Sequence, residues 1–544
     1  MARSYFTDLR GFIQELERRG KLYRWTRSIN KDTELMPLMR VQYRSVADEE
    51  RKAFLFEAVT DAKNTSYGMK VITGVYGASH AIVALGMGCE APHEIYEKWH
   101  HAVDHPIAPV LVDRGIVQEE VHLGHELQEL GLDELPVPVE DPGFSGDIRT
   151  TTALITKDPE TGIRNVGIYG AHLRARDRML CAIAPTHHTR LYHWNSARVR
   201  NQPLPVAITV GTLPDIVYVG GANLAYGADE LATAGGIRGR PVELVRCKTI
   251  PLEVPAEAEI VIEGEILPDV MEPHTSFADY PGYLMAEPDT YRLVMRVTAI
   301  THRKDAIFTA ILVGLMPCES NIISGNARGM MLCHFLKYSC NLPTVLEVRS
   351  LDDAGFHAWV IRIRKTHASQ PKQILHAVAG WDGVGKWIIV VDEDVNIHDP
   401  DMIWWALSYA VQPHQDVETI IGRVPLLDPS AYALMTRPED RSFPPPVGCS
   451  AILVDATRKG PYPPVGLPKK AYMERALAIW QEEELPPPKL RVPWYGYSLG
   501  LWSPENEKMA ELVAQGEHLK VGEEMAKRQK RAVDILAPRK DGSK

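Results

Sequence analysis

Cysteine is scarce in this chain, seven in 544 residues, and no two of them form a C-x-x-C pair. Cys89, Cys181, Cys247, Cys318, Cys333, Cys340 and Cys449 are scattered along the sequence. That argues against a zinc ribbon, an iron–sulfur site or a disulfide framework. It fits a reducing cytosol, so a cytoplasmic location is expected. Long apolar runs are missing too. None approaches the roughly 18 residues that a membrane span needs, and no membrane partner is expected. The opening segment MARSYFTDLRGFIQELERRGKL is charged and amphipathic and lacks the apolar stretch of a signal peptide. Nor is there an excess of positive charge. Lys and Arg number 60 against 70 Asp and Glu, a net charge of −10. This disfavours a nucleic-acid-binding surface while leaving room for a local basic pocket around a phosphate. No internal repeat is visible.

What is there has the composition of a globular enzyme, 45% hydrophobic and 24% charged, in a chain too long for one compact core. Residues 7–20 carry Leu9, Phe12, Ile13 and Leu16 at helical spacing, with Gly20 as a stop. Short apolar runs such as KAFLFEAV and KVITGVYG follow with helical stretches between them, which predicts an α/β layer. The Pro-rich acidic link Leu135-Pro-Val-Pro-Val-Glu-Asp-Pro142 breaks that pattern. From about 150 to 312 the chain reads as strands (TTTALITKD, RNVGIYGAHL, LPVAITVG, EAEIVIEGEI, YRLVMRVTAITHR, DAIFTAILVG), dense enough for a barrel-like β-domain. Beyond Pro317, VLEVRSL, AWVIRIRK and KWIIVVDED alternate with helices in a second α/β layer. Past about 425 the chain is Pro-rich and ends in charged, helical segments. The expected fold class is therefore α/β and multi-domain: an N-terminal α/β domain over 1–135, the β-barrel over 136–315, a C-terminal α/β domain over 316–425, and an extended tail over 426–544.

Three polar residues stand out in the β-rich region: Asn165 in NVGIYG, His188 in PTHHTR and Glu230 in GADELATAGGIRG. An amide oxygen, an imidazole and a carboxylate suit Mg²⁺, Mn²⁺ or Fe²⁺ better than zinc held by thiolates. Spacing alone is silent here, because ligands drawn from different strands have no fixed separation.

These segments resemble the UbiD family of (de)carboxylases. NVGIY, the H-T-R after His188 and the A-G-G-I-R-G after Glu230 are similar to the family's metal-binding stretches. CKTIPLEVPAEAEIVIEG (247–264), FADYPGY (277–283), KWIIVVDEDVNIHD (386–399) and LVDATRK (453–459) follow in family order. The resemblance implies a split β-barrel that binds prenylated FMN, whose chemistry the protein positions and tunes. It implies that Asn165, His188 and Glu230 hold a divalent metal (Mn²⁺ or Fe²⁺, or Mg²⁺) against the flavin phosphate, with K⁺ nearby. GGANLAYGAD (220–229) would lend carbonyls to the K⁺. Ile168, His187 and Lys386 fall at further cofactor-binding positions, Lys386 matching a phosphate-binding lysine. A flavin prenyltransferase would supply the cofactor, and a homodimer or homohexamer paired through the C-terminal α/β domain is implied.

The acid–base set departs from the family pattern. Members typically carry an Arg five residues after the metal-binding Asn, where this chain has Gly170. Anchoring Met271-Glu-Pro-His-Thr-Ser-Phe-Ala-Asp-Tyr-Pro-Gly-Tyr283 on its last residues puts Asp279 at the family's final catalytic acid. His274 then falls where a Glu is expected, and Glu272 serves instead if the loop holds two extra residues. Loss of the Arg removes a guanidinium for the substrate carboxylate and opens room for a larger substrate. The expected activity is non-oxidative decarboxylation of an aromatic or α,β-unsaturated acid, with CO2 as product and an active-site acid as proton donor. Candidate substrates are an aryl-CoA thioester such as phthaloyl-CoA or a free polycyclic or heteroaromatic acid. The alternatives are carboxylation of an activated aromatic and a non-catalytic flavin-binding subunit.

Overall fold

The computed structural model describes residues 5–183, 187–285, 291–381, 385–421, 428, 430 and 450–532. They fall into two compact units, one of residues 1–393 with 412–455 and one of 394–411 with 456–544.

In the first unit the chain opens with helix Leu9–Arg18. Asp8 caps it by accepting from the Gly11 N–H at 2.8 Å, and Leu9, Phe12, Ile13 and Leu16 are buried, as the spacing predicts. A four-stranded sheet follows in the order Leu22–Asn30, Ala53–Thr60, Lys70–Thr73, Ile307–Thr309. Its last strand comes from DAIFTAILVG, inside the stretch that the sequence assigns to the barrel domain.

The barrel closes from six strands. Their order is Ile260–Pro273, Leu204–Val210, Arg149–Lys157, Arg164–Ala175, Arg178–Ala182 and Tyr291–His302, which pairs back onto Ile260–Pro273. Closure removes the open edges that a sheet of this length would otherwise expose. The short strand Glu120–His122 adds to the free end of Tyr291–His302. The helix Pro214–Gly221 packs against Arg164–Ala175, so close that a side chain at Gly220 would meet Ile168 Cδ1 at 3.3 Å.

A five-stranded sheet, Val345–Leu351, Gly355–Ile363, Trp387–Asp392, Ser450–Ala456 and Val417–Ile421, completes this unit. Trp359, Ile361, Val390 and, from helix Gln370–Ala379, Ile374 and Val378 form its core. Helix Glu319–His334 leads into it, with Glu319 fully buried and accepting from the N–H groups of Gly74 (2.8 Å) and Tyr76 (3.2 Å).

In the second unit Val395, Ile397, Ile403 and Ala406 are buried. Asp394 receives Arg458 at 2.7 Å and the Tyr497 hydroxyl at 2.7 Å. Helices Lys470–Glu482, Pro504–Ala514 and His518–Ala526 bear no buried residue. This agrees with a tail poor in core-forming runs. The first Pro-rich stretch, SFPPPVG, lies outside the described residues.

Candidate active site

The strand Arg164–Ala175 carries two groups on opposite faces, because successive side chains alternate across a strand. Asn165 and Tyr169 lie on one face, and Ile168, Gly170 and His172 on the other.

On the first face the Asn165 amide donates to Thr189 Oγ1 at 2.9 Å. Thr189 follows His188, which opens helix His188–Trp194 and sets its ring edge-on to Tyr226 at 5.1 Å. Glu230 opens helix Glu230–Arg238, which Asp229 caps by accepting from Leu231 and which Gly239 ends at φ +70°. Its carboxylate accepts from the Val166 N–H at 3.1 Å. Asn165 thus meets the residue after His188, and Glu230 meets the residue after Asn165. Asn165 is 4% exposed and Glu230 5%. Burial pushes the Glu230 carboxyl up to about 8, the mark of a buried anion that needs a cation to stay charged. Asn165 lies on a strand, whereas His188 and Glu230 both sit at helix starts. His187 precedes the helix with its ring 5.2 Å from Tyr169. Lys386 is engaged by Asp428 at 2.7 Å and by Ser430 at 2.5 Å.

On the other face, His172 is fully buried, with Nδ1 3.5 Å from Asp147 and its ring 4.6 Å from Phe277. Burial holds the imidazole down at about 4. His274 is buried, packs edge-on to Phe277 at 4.9 Å and bonds the Thr275 carbonyl through Nδ1 at 2.6 Å. Its Nε2 is buried without a hydrogen-bond partner among the described residues. Asp279 stands in a turn closed by its own N–H to Tyr283 O at 3.1 Å, and its carboxylate accepts from the Tyr280 N–H at 2.7 Å. Glu272 is half-buried on the barrel strand, opposite Arg292, and pairs with Arg178 at 3.2 Å. His274 thus packs on Phe277, two residues before Asp279, whereas Glu272 is committed to Arg178.

Three residues that linear position could not supply, Arg149, Glu140 and Arg292, complete this face. Arg149 opens the neighbouring strand opposite His172 and is 7% exposed. It pairs with Glu140 at 2.8 Å, donates to the Ala278 carbonyl and lies over the Phe277 ring at 4.7 Å. A Cβ at Gly170 would lie 3.4 Å from Arg149 Cδ and 3.5 Å from its Nη1. The space beside Gly170 is therefore filled by a guanidinium from the next strand, not opened as the missing Arg had led us to expect. Glu140 belongs to the acidic Pro-rich link, and its carboxyl is raised by burial in spite of Arg149. The Asp279 charge acts on both Arg149 and Arg292. Arg292 Nε is buried without a hydrogen-bond partner among the described residues. A cation paired with a buried carboxylate, a second cation and an acid thus face one region, an arrangement suited to gripping an organic anion and delivering a proton.

Comparison with known proteins bears on this arrangement. Residues 13–102, 110–316 and 324–456 match, in turn, the N-terminal domain, the Rift-related domain and the C-terminal domain of 3-octaprenyl-4-hydroxybenzoate carboxy-lyase, the three UbiD domain families. An uncharacterized protein of Aquifex aeolicus is 32% identical over 448 residues, 78% of this chain and 88% of that one. A phenolic acid decarboxylase of Sedimentibacter hydroxybenzoicus is 26% identical over 494 residues, 87% and 95% of the two chains. Among solved structures, the UbiD-class enzyme HmfF from Pelotomaculum thermopropionicum, in an evolved dimeric form with prFMN, superposes with a TM-score of 0.71. It is 28% identical, with 84% of this chain and 96% of that chain covered. The vanillic acid decarboxylase of Sedimentibacter hydroxybenzoicus shares the fold at a TM-score of 0.74 and 24% identity, covering 88% and 100%.

Proposed function

The chain belongs to the UbiD family of carboxy-lyases, and we propose that it removes CO2, reversibly and without net oxidation, from an aromatic or α,β-unsaturated carboxylic acid with prenylated FMN as cofactor. The observation that carries this reading is the Arg149–Glu140 pair, which fills the space beside Gly170 and acts on Asp279. It would replace, from a different strand, the guanidinium that the family pattern carries and this chain lacks at Gly170.

The donor set fits the cofactor and its metal. Asn165, His188 and Glu230 offer O, N and O ligands, and the buried Glu230 carboxyl calls for a cation. These residues would hold a divalent metal against the flavin phosphate, with K⁺ beside it. Ile168, His187 and Lys386 are the further cofactor contacts we propose. When bound, the prenylated flavin supplies an electron sink for the charge left as CO2 departs. The remaining steps belong to the chain. Arg149 and Arg292 hold the substrate anion and orient its carboxylate. Glu140 keeps Arg149 in place. Asp279 delivers the proton to the carbon that has lost CO2, and His274, packed on Phe277, supports the turn that carries it.

An aryl-CoA thioester such as phthaloyl-CoA is a candidate substrate, beside a free aromatic acid. The dimeric form of HmfF supports a homo-oligomeric assembly. The test is to make the protein together with a flavin prenyltransferase, weigh the released flavin, and follow CO2 from a panel of aromatic acids and aryl-CoA thioesters. Prenylated FMN with turnover of at least one substrate is expected. A fully loaded protein that turns over nothing in either direction would turn the reading into a flavin-binding subunit.

A further inference from the structure

Away from both groups, a third set of chemistry-bearing side chains meets on the outer edge of the barrel. His122 ends the short strand Glu120–His122, His302 ends the strand Tyr291–His302 that it pairs with, and Glu134 ends the short helical turn Gly131–Glu134. The pairing sets Ile300 opposite His122 and His302 opposite Glu120, so the two histidines share a face of the sheet. One ligand atom from each of His122, Glu134 and His302 lies within 4.8 Å of the others. His122 Nδ1 donates to Glu134 Oε1 at 2.9 Å, a proton that a bound cation would displace, and His302 Nε2 is 3.9 Å from Glu134 Oε2. The side chains are 14%, 12% and 12% exposed, so the group is sheltered but within reach of solvent.

We infer that His122, Glu134 and His302 form a binding site for a first-row divalent cation of the zinc class, separate from the flavin metal. Three features carry it. The first is the tautomer of His302. Its Nδ1 lies 2.9 Å from the Arg303 carbonyl, and a carbonyl can only accept, so Nδ1 bears a proton and in the neutral ring Nε2 holds the lone pair. An imidazole fixed through its other nitrogen to a backbone carbonyl is the usual support for a metal-bound histidine. The second is where that lone pair points. His302 Nε2 is buried and without a hydrogen-bond partner among the described residues, and 3.9 Å from a carboxylate oxygen is too far for a hydrogen bond. Two electron-rich atoms facing each other in a sheltered place are held apart by repulsion unless a cation lies between them. Ligands about 2.0–2.1 Å from a tetrahedral zinc sit roughly 3.3 Å from one another, so shifts under about 1 Å complete the site. The third is the anchoring of Glu134. Gly131, at φ +52°, lies so close to Arg176 that an added Cβ would stand 2.5 Å from the Arg176 carbonyl, and the Leu132 N–H donates to that carbonyl at 2.9 Å. The turn is pressed against the barrel at the position that aims the carboxylate.

Two imidazoles and a carboxylate without a thiolate suit Zn²⁺ or Co²⁺, with solvent as the fourth ligand. The cation would staple the 120–134 segment to the closing strand of the barrel.

The test uses the full-length holoenzyme, stripped of loosely held metal by dialysis against a chelator and titrated with Zn²⁺ by calorimetry and with Co²⁺ by visible absorption. The wild type should bind one equivalent beyond the flavin metal, show the visible bands of four-coordinate Co²⁺, and unfold at a higher temperature with Zn²⁺ than without. His302→Gln and Glu134→Gln, which keep side-chain shape, should weaken that equivalent by more than about 100-fold, beyond the loss typical of an orienting partner. They should erase the cobalt bands and the Zn²⁺-dependent rise in midpoint, while flavin content and metal-free circular dichroism match the wild type. Glu230→Ala should leave this equivalent untouched. Equal Zn²⁺ stoichiometry and equal midpoints in the wild type and both Gln variants would overturn the assignment. So would a wild type that binds no zinc beyond the equivalent lost in Glu230→Ala.

Discussion

Arg149→Ala is the sharpest probe of the acid–base face, and its effect divides into two parts. Arg149 and Glu140 form an ion pair at 2.8 Å whose side chains are only 5% and 6% exposed. Truncating one partner of such a pair leaves a buried carboxylate unmatched, a loss of about 3–5 kcal/mol. Part of that is relieved because burial raises the Glu140 carboxyl, which takes up a proton more readily once Arg149 is gone. The second part is chemical. Without the guanidinium beside Asp279, the substrate carboxylate loses a charged hydrogen-bonding partner, and turnover should fall by about 10²- to 10³-fold. Stability and chemistry are separated by a second-site change. A Cβ at Gly170 points at Arg149 Cδ and Nη1 from 3.4 and 3.5 Å, so Gly170→Ala fits at ordinary van der Waals contact. In Gly170→Arg, by contrast, two guanidiniums crowd one place, and that variant alone should lose activity. Gly170→Arg combined with Arg149→Ala moves the cation to the adjacent strand and should recover at least about tenfold in turnover over Arg149→Ala, with a higher urea midpoint. The assays are CO2 release by the prenylated-FMN enzyme, flavin content by absorbance, and equilibrium unfolding. If Arg149→Ala turns over at the wild-type rate, or if the double variant folds and loads flavin yet stays as slow as Arg149→Ala, the cross-strand substitution argued here is wrong.

Other expectations follow from the same contacts. Asp279→Asn keeps the turn but cannot deliver a proton, so turnover and uptake of solvent deuterium should drop by about 10²-fold or more with flavin content near normal. An undiminished rate would assign the proton elsewhere. Glu230→Ala should lose both metal and flavin, read by metal analysis and absorbance, because the phosphate is left poorly neutralised; full flavin occupancy would remove Glu230 from the cofactor site. The buried His172 titrates at about 4 in the fold against an ordinary value of 6.5, so the unfolded chain binds more protons between those values. The stability it contributes is whole above pH 6.5 and is lost as pH falls toward 4, about 2 kcal/mol between pH 6.5 and 5. Asp147, held down at about 2, acts only below this window. Urea midpoints of wild type and His172→Gln at pH 7 and 5 should therefore converge on acidification, and parallel pH profiles would refute the assignment.

How much of this was legible in the sequence depended on whether a contact is local. Leu9, Phe12, Ile13 and Leu16 announce a helix because the period of a helix lies within a few residues, and all four are buried. The barrel strands announce themselves by β-branched runs in the same way. Ile307–Thr309 reads equally well as a strand, yet it joins Lys70–Thr73 and not the barrel. Its partner is chosen by tertiary contacts that composition does not record. The acid–base face shows the same limit where it matters most. Reading along the strand from Asn165 arrives at Gly170 and finds the arginine gone, since a motif is a statement about order along one strand. A barrel offers the same volume to residues of the adjacent strand, and register sets Arg149 opposite His172, two residues beyond Gly170. The arginine reaches the site by strand pairing and binds its carboxylate partner Glu140 there, nine residues earlier in the acidic link. The glycine supplies the reason: a long side chain at 170 would compete with the Arg149 guanidinium, so a small residue there and a large cation across the ladder are two halves of one substitution. An open position in a motif is thus better read as a question about the cross-strand neighbour than as a loss of function.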